Sequence, residues 1–78
     1  MSYSPDNIEE LEVLMLFDLN NTQEGIKIHK TAEATVISAA KRLFENGFIS
    51  QVDGGYLTDL GHEAAEHTQK LYTMLDAG

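Results

Sequence analysis

The chain has 78 residues, no cysteine, 42% hydrophobic residues and a formal net charge of −8. This length accommodates one domain, residues 1–78, with a single small core. The lack of cysteine excludes a disulfide framework, thiol chemistry and a cysteine-bound zinc site, and it favours a reducing, cytoplasmic compartment. We expect no secretory signal and no membrane-spanning segment, because no stretch has the required apolar length.

Charge is distributed unevenly along the sequence. Residues 1–24 sum to −6, residues 25–44 to +3 and residues 45–78 to −5. The overall excess of acid repels a polyanion at long range, whereas the one basic stretch can still contact phosphates locally. Charge alone therefore leaves both nucleic-acid binding and protein binding open.

The first predicted element is a helix over residues 5–19. Ser4 is a favoured N-cap residue and Pro5 fits the first helical position. Apolar residues recur at helical spacing, and three of them make the second half apolar nearly all round: Val13, Leu16 and Phe17. Either another element of this chain covers the additional face, or that face is a dimer interface.

The middle of the chain predicts a short strand and a second helix. Residues 26–28 alternate as a strand does, and they either join a sheet or stay outside it. The helix covers residues 31–46, with Thr31 as its N-cap. At about 100° per residue, small polar side chains and Arg42 fall on the side opposite the apolar one. That side suits a DNA groove, and it suits an ordinary solvated helix surface equally well.

A hairpin is predicted after this helix. Asn46-Gly47 is a helix C-terminus signal, because glycine takes the left-handed C′ position without a Cβ clash. Antiparallel strands follow at residues 48–52 and 56–58. They are joined by Asp53-Gly54-Gly55, whose residues tolerate positive φ.

The last predicted helix covers residues 59–75 and is capped by Thr58. Gly61, early in this helix, predicts close packing against the strand or the first helix. An apolar stripe extends beyond what so small a hairpin covers: Leu60, Ala64, Leu71, Met74 and Leu75. Together with the apolar end of the first helix, this stripe predicts a homodimer at micromolar concentration.

The order of these elements resembles the winged helix-turn-helix superfamily. The resemblance rests on Leu43-Phe44-Glu45-Asn46-Gly47-Phe48-Ile49, followed by Gly54-Gly55-Tyr56-Leu57-Thr58-Asp59-Leu60-Gly61, and it covers residues 31–75. It implies an α+β, winged-helix-like fold with three main helices and a small two- or three-stranded antiparallel sheet. It also implies a DNA-binding ancestry among small bacterial transcription regulators.

The sequence departs from the family pattern in two places. Eleven residues separate Leu19 from Thr31, so the first helix of the helix-turn-helix is either missing or reduced to a single turn. The hairpin tip carries an acid and no Lys or Arg, so it has no donor side chain for a phosphate.

Two functions are consistent with these features. The first is weak, salt-sensitive binding of duplex DNA, with lysines on phosphates and the polar side of the second helix towards a groove. Its candidate residues are Lys27, Lys30, Thr31, Thr35, Ser38, Lys41 and Arg42. The second is an acidic protein-interaction module on the same scaffold, which binds another regulatory protein and no DNA.

Motifs for catalysis or for cofactor and metal binding are absent from the sequence. His62 and His67 lie five residues apart, about 140° around a helix, so they cannot share one metal ion. Gly54-Gly55 lacks the Lys-Ser/Thr of a phosphate-binding loop and does not open a helix. We therefore expect neither enzymatic activity nor a bound cofactor or metal.

Overall fold

The computed structural model describes residues 2–21 and 23–77 and has an α+β fold. Within the described residues the elements follow in the order α1 (Pro5–Leu14), β1 (Ile26–Lys27), α2 (Ala34–Glu45), β2 (Ile49–Gln51), β3 (Gly54–Leu57) and α3 (Asp59–Ala77). The strands form one antiparallel sheet in the order β1-β3-β2. The predicted α+β architecture is confirmed, and the segment at residues 26–28 joins the sheet through β1.

Helix α1 begins as the sequence predicts. The Ser4 hydroxyl oxygen accepts from the Asn7 backbone N–H at 3.1 Å, and the Asn7 side-chain oxygen accepts from the Ser4 N–H at 3.2 Å. These reciprocal bonds satisfy donors that a helix start otherwise leaves without partners. Pro5 occupies the first turn, where its missing N–H removes no helical hydrogen bond.

Helix α1 ends at Leu14, so the predicted boundary at residue 19 was wrong. The side chain of Gln69 on α3 donates to the Leu14 carbonyl at 3.3 Å and to the Phe17 carbonyl at 2.8 Å. These bonds satisfy carbonyls that have no partner after the last helical turn. The chain turns here, which places Phe17 in the core at 4% exposure and leaves Leu16 57% exposed.

Helix α2 begins at Ala34, so the prediction of Thr31 as its N-cap was also wrong. Thr31 lies in a turn in which the Ala32 N–H donates to the His29 carbonyl at 2.9 Å. Glu33 occupies the N-cap position and makes no side-chain capping bond. A single turn therefore precedes α2 between this helix and β1.

The end of α2 lies next to the start of α3, and both helix ends form as the sequence predicts. Gly47 has a φ of 83°, which fits the predicted left-handed C′ position. The Thr58 hydroxyl accepts from the Gly61 N–H at 3.0 Å, which caps α3, and it donates to the Gly47 carbonyl at 2.6 Å. The same side chain thus caps one helix and joins it to the end of the other.

The hairpin lies between these helices. Strands β2 and β3 pair antiparallel, and β3 begins two residues earlier than predicted because Gly54 and Gly55 belong to it. Their φ values of 123° and 72° are accessible to glycine at little cost. Both glycines pair with β1, opposite Lys27 and Ile26 respectively.

The core is formed by apolar side chains from all three helices and the sheet: Val13, Leu14, Phe17, Ala39, Ala40, Leu43, Ile49 and Ala65. Helix α3 contributes only small buried residues, Gly61 and Ala65, so its backbone lies close to the body of the domain. Residues 70–77 of α3 are all exposed. The last two turns of this helix consequently present apolar side chains to solvent.

Candidate nucleic-acid interface

A groove of about 500 Å³ lies between the end of β1, helix α2 and the turn of the hairpin. Its lining consists of Lys27, Ile28, His29, Lys30, Ile37, Ala40, Lys41, Val52 and Asp53. Three of the four cations in the basic stretch of the sequence therefore border one concave surface. Lys27 and Lys30 come from β1 and the turn after it, and Lys41 comes from α2.

Backbone contacts hold these elements together. Lys27 pairs with Gly54 across the sheet, and the Ile28 N–H donates to the Asp53 carbonyl at 2.7 Å. This bond holds the chain leaving β1 against the hairpin turn. Lys41 follows Ala40, which is buried in the core, so the lysine lies on the solvent side of α2. The positions of the three lysines thus follow from strand pairing and helix packing.

The lysines at this groove are unpaired. Among the described residues, no salt bridge involves Lys27, Lys30 or Lys41, and all three are exposed. One acid, Asp53, lies in the lining. Because these lysines are exposed and form no salt bridge within the described residues, their charges remain available to an external anion.

Arg42 does not lie on the outward face predicted for it. Its Nε is 2.5 Å from Glu10 Oε2, and its Nη2 is 3.5 Å from Glu9 Oε2 and 3.8 Å from Asp6 Oδ1. The hydrogen bond with Glu10 raises the pKa of Arg42 above its ordinary value, and the charges of Asp6, Glu10 and Glu9 add to the effect. The guanidinium therefore joins α2 to the acidic start of α1, and its charge is offset there.

The three hydroxyl residues of the predicted site are exposed, but they do not line the groove. Thr31 lies in the turn before α2, and Thr35 and Ser38 lie on α2 itself. The structure thus brings together Lys27, Lys30 and Lys41, and leaves the hydroxyl residues beside them or farther away.

Sequence reasoning missed the apolar part of the groove. Ile37 and Val52 are 38% and 51% exposed and lie among the lysines. Ile37 has the spacing of a core residue on α2, so periodicity alone does not distinguish this exposed side chain from a buried one. His29 also lines the groove. Its position between Lys27 and Lys30 in the sequence was the only indication that it would lie there.

The fold is a small α+β domain, and three lysines border this groove on an otherwise acidic chain. The chain belongs to a family of unknown function, DUF5669, whose family model matches residues 1–76. No curated protein and no solved structure matches it. The family match covers almost the whole chain and specifies no activity.

Membrane-spanning helices and metal-binding clusters are both absent from the described residues. No helix among them is long and apolar enough to cross a membrane. No group of three or more His, Asp or Glu side chains in the same residues could hold a metal ion.

Proposed function

We propose that this protein binds duplex DNA weakly, with the groove bordered by Lys27, Lys30 and Lys41 against the phosphate backbone. The observation that supports this proposal is that three lysines from two segments converge on one surface of a chain with net charge −8, and that none of them forms a salt bridge within the described residues. Lysine contacts to phosphates release counterions, which gives affinity that is largely independent of sequence and falls as salt rises.

The winged-helix resemblance gives α2 the role of the helix nearest the DNA. Thr35 and Ser38 on α2 are exposed and carry hydroxyl groups, which commonly bond to phosphate oxygens. In this proposal the single turn before α2 takes the place of the first helix of a helix-turn-helix. Arg42 has no part in this contact, because α1 holds its side chain.

The acidic body opposes the interaction. Without the three lysines the remaining chain has a formal charge of −11, that is, −8 less +3. Approach to a polyanion is therefore favourable only in the orientation that presents the groove. We expect affinity in the range of non-specific DNA binding, with Kd about 10⁻⁴ to 10⁻⁶ M at physiological salt.

A matched pair of substitutions tests the proposal. Lys41→Gln and Arg42→Gln remove the same charge from adjacent positions of one helix. Lys41→Gln should weaken binding to every duplex and lower the slope of log K against log salt by about one, because one phosphate contact is lost. Arg42→Gln should leave that slope unchanged. Fluorescence anisotropy with random-sequence and genomic duplexes at several salt concentrations measures both quantities.

Two results contradict the proposal. Equal changes in salt slope for Lys41→Gln and Arg42→Gln would mean that net charge, and not the groove, governs binding. Undetectable binding of the folded wild-type protein to any duplex in dilute salt would remove DNA as a partner altogether. Circular dichroism of each variant confirms that the fold is retained before affinities are compared.

The second candidate function is binding of another regulatory protein at the same groove. The observation that favours it is the exposure of Ile37 and Val52 among the lysines, since phosphates do not bury apolar side chains. An acidic segment with apolar side chains matches both features. If no duplex is bound by the folded protein, this alternative becomes the preferred function.

A further inference from the structure

Helix α3 has two apolar faces. The first contains Gly61 and Ala65 and is buried against the domain. The second is rotated about 90° from it, taking about 100° per residue. Leu60, Leu71 and Leu75 on this second face are 51%, 43% and 73% exposed. An apolar stripe along most of a 19-residue helix is thus without a partner in the described residues.

The stripe continues into a groove between α1 and α3 with a volume of about 480 Å³. Ile8 and Leu11 line it from α1, and Met15 lines it from the residue after that helix. Leu71, Tyr72 and Leu75 line it from α3. Tyr72 and Ile8 at this groove are 54% and 43% exposed, in addition to the leucines of the stripe. A contiguous exposed apolar surface of this kind is typical of a protein–protein interface.

We propose that a second copy of this chain covers the stripe, with the two α3 helices packed antiparallel about a two-fold axis. In this alignment Leu60 meets the partner subunit's Leu71, and the reciprocal contact follows from the symmetry. Leu60 then enters the end of the partner subunit's groove between α1 and α3. One copy supplies both the stripe and the groove, so the surface is complementary to itself.

Charge on the flank of the stripe selects the antiparallel arrangement. Lys70 is the only Lys or Arg of α3, and Glu63 lies seven residues before it on the same flank. Neither forms a salt bridge within the described residues, whereas Glu66 is 2.7 Å from His62. Antiparallel packing of paired helices places equivalent flanks opposite each other. Glu63 therefore faces the partner subunit's Lys70, and symmetry provides a second such pair.

A parallel pair of α3 helices lacks this complementarity. It places the flank with Glu63 and Lys70 beside the partner subunit's opposite flank, where Gly61, Thr68 and Tyr72 carry no charge. Neither charged side chain then gains an opposite charge, and both helix dipoles point in the same direction. Only an antiparallel copy of α3 therefore places Glu63 opposite the partner subunit's Lys70.

Sedimentation equilibrium of the full chain across the micromolar range tests the proposal. The wild-type protein should sediment at twice its 8.6 kDa chain mass. Lys70→Glu should raise the dimer dissociation constant at least tenfold, because it places acids opposite each other twice. The double variant Glu63→Lys/Lys70→Glu restores opposite charges at the wild-type net charge, so it should recover most of the lost association.

Both positions lie outside the buried core, so the variants should keep the monomer fold, which circular dichroism verifies. A wild-type protein that sediments as a single 8.6 kDa species across this range would overturn the proposal. A dimer that is insensitive to Lys70→Glu, or a double variant as weak as the single one, would overturn the antiparallel pairing of α3.

Discussion

Replacement of Gly61 with alanine should abolish folding, or lower the free energy of unfolding by more than about 4 kcal/mol. A Cβ at this position would overlap the Phe48 carbonyl oxygen and lie 2.8 Å from the carbonyl carbon. These are backbone atoms, and the oxygen also accepts from the Thr58 N–H at 3.1 Å, so it cannot rotate away freely. Urea unfolding monitored by circular dichroism measures the loss.

Gly47→Ala is the matched control for this prediction. A Cβ at Gly47 would meet nothing within 4 Å, so only the φ of 83° opposes the substitution. The expected destabilisation is about 1 kcal/mol, the usual penalty for a left-handed non-glycine residue. If both variants lost the same stability, the approach of α3 to Phe48 would not account for the glycine at position 61.

The features that sequence reasoning predicted correctly depend on a few neighbouring residues. The Ser4 cap, the Gly47 stop and the Thr58 cap each satisfy backbone groups of the adjacent turn. The hairpin was predictable because Gly54 and Gly55 reach φ values that other residues avoid. Close packing at Gly61 was predicted on the same basis, since a glycine near a helix start is unfavourable unless the site needs it.

The features that it missed depend on partners far away in the chain. Helix α1 ends early where Gln69, more than 50 residues later, binds the Leu14 and Phe17 carbonyls. Arg42 reaches Glu10, which lies 32 residues before it. Helical periodicity gives the direction of a side chain from its own helix, but it contains no information about which neighbour a long side chain reaches.

Some features of the candidate site depend on neighbouring residues and others on distant ones. The grouping of Lys27, Lys30 and Lys41 followed from the charge segregation of the sequence, because the segments that carry them are close in the chain. The apolar walls contributed by Ile37 and Val52 did not follow, because burial of an apolar residue depends on whether another element covers it. In this fold the hairpin turn lies beside α2 without covering it fully.

Phe17→Ala should lower the free energy of unfolding by about 3 to 5 kcal/mol, whereas Leu16→Ala should change it by less than about 1 kcal/mol. Adjacent apolar residues differ this much because the chain turns after Leu14 and places only the aromatic ring in the core. A helix continuing to residue 19 would instead bury parts of both side chains and divide the loss between them. Urea unfolding of the two variants at one protein concentration, which keeps any association constant, distinguishes these outcomes. Similar losses for the two variants would mean that α1 continues past Leu14.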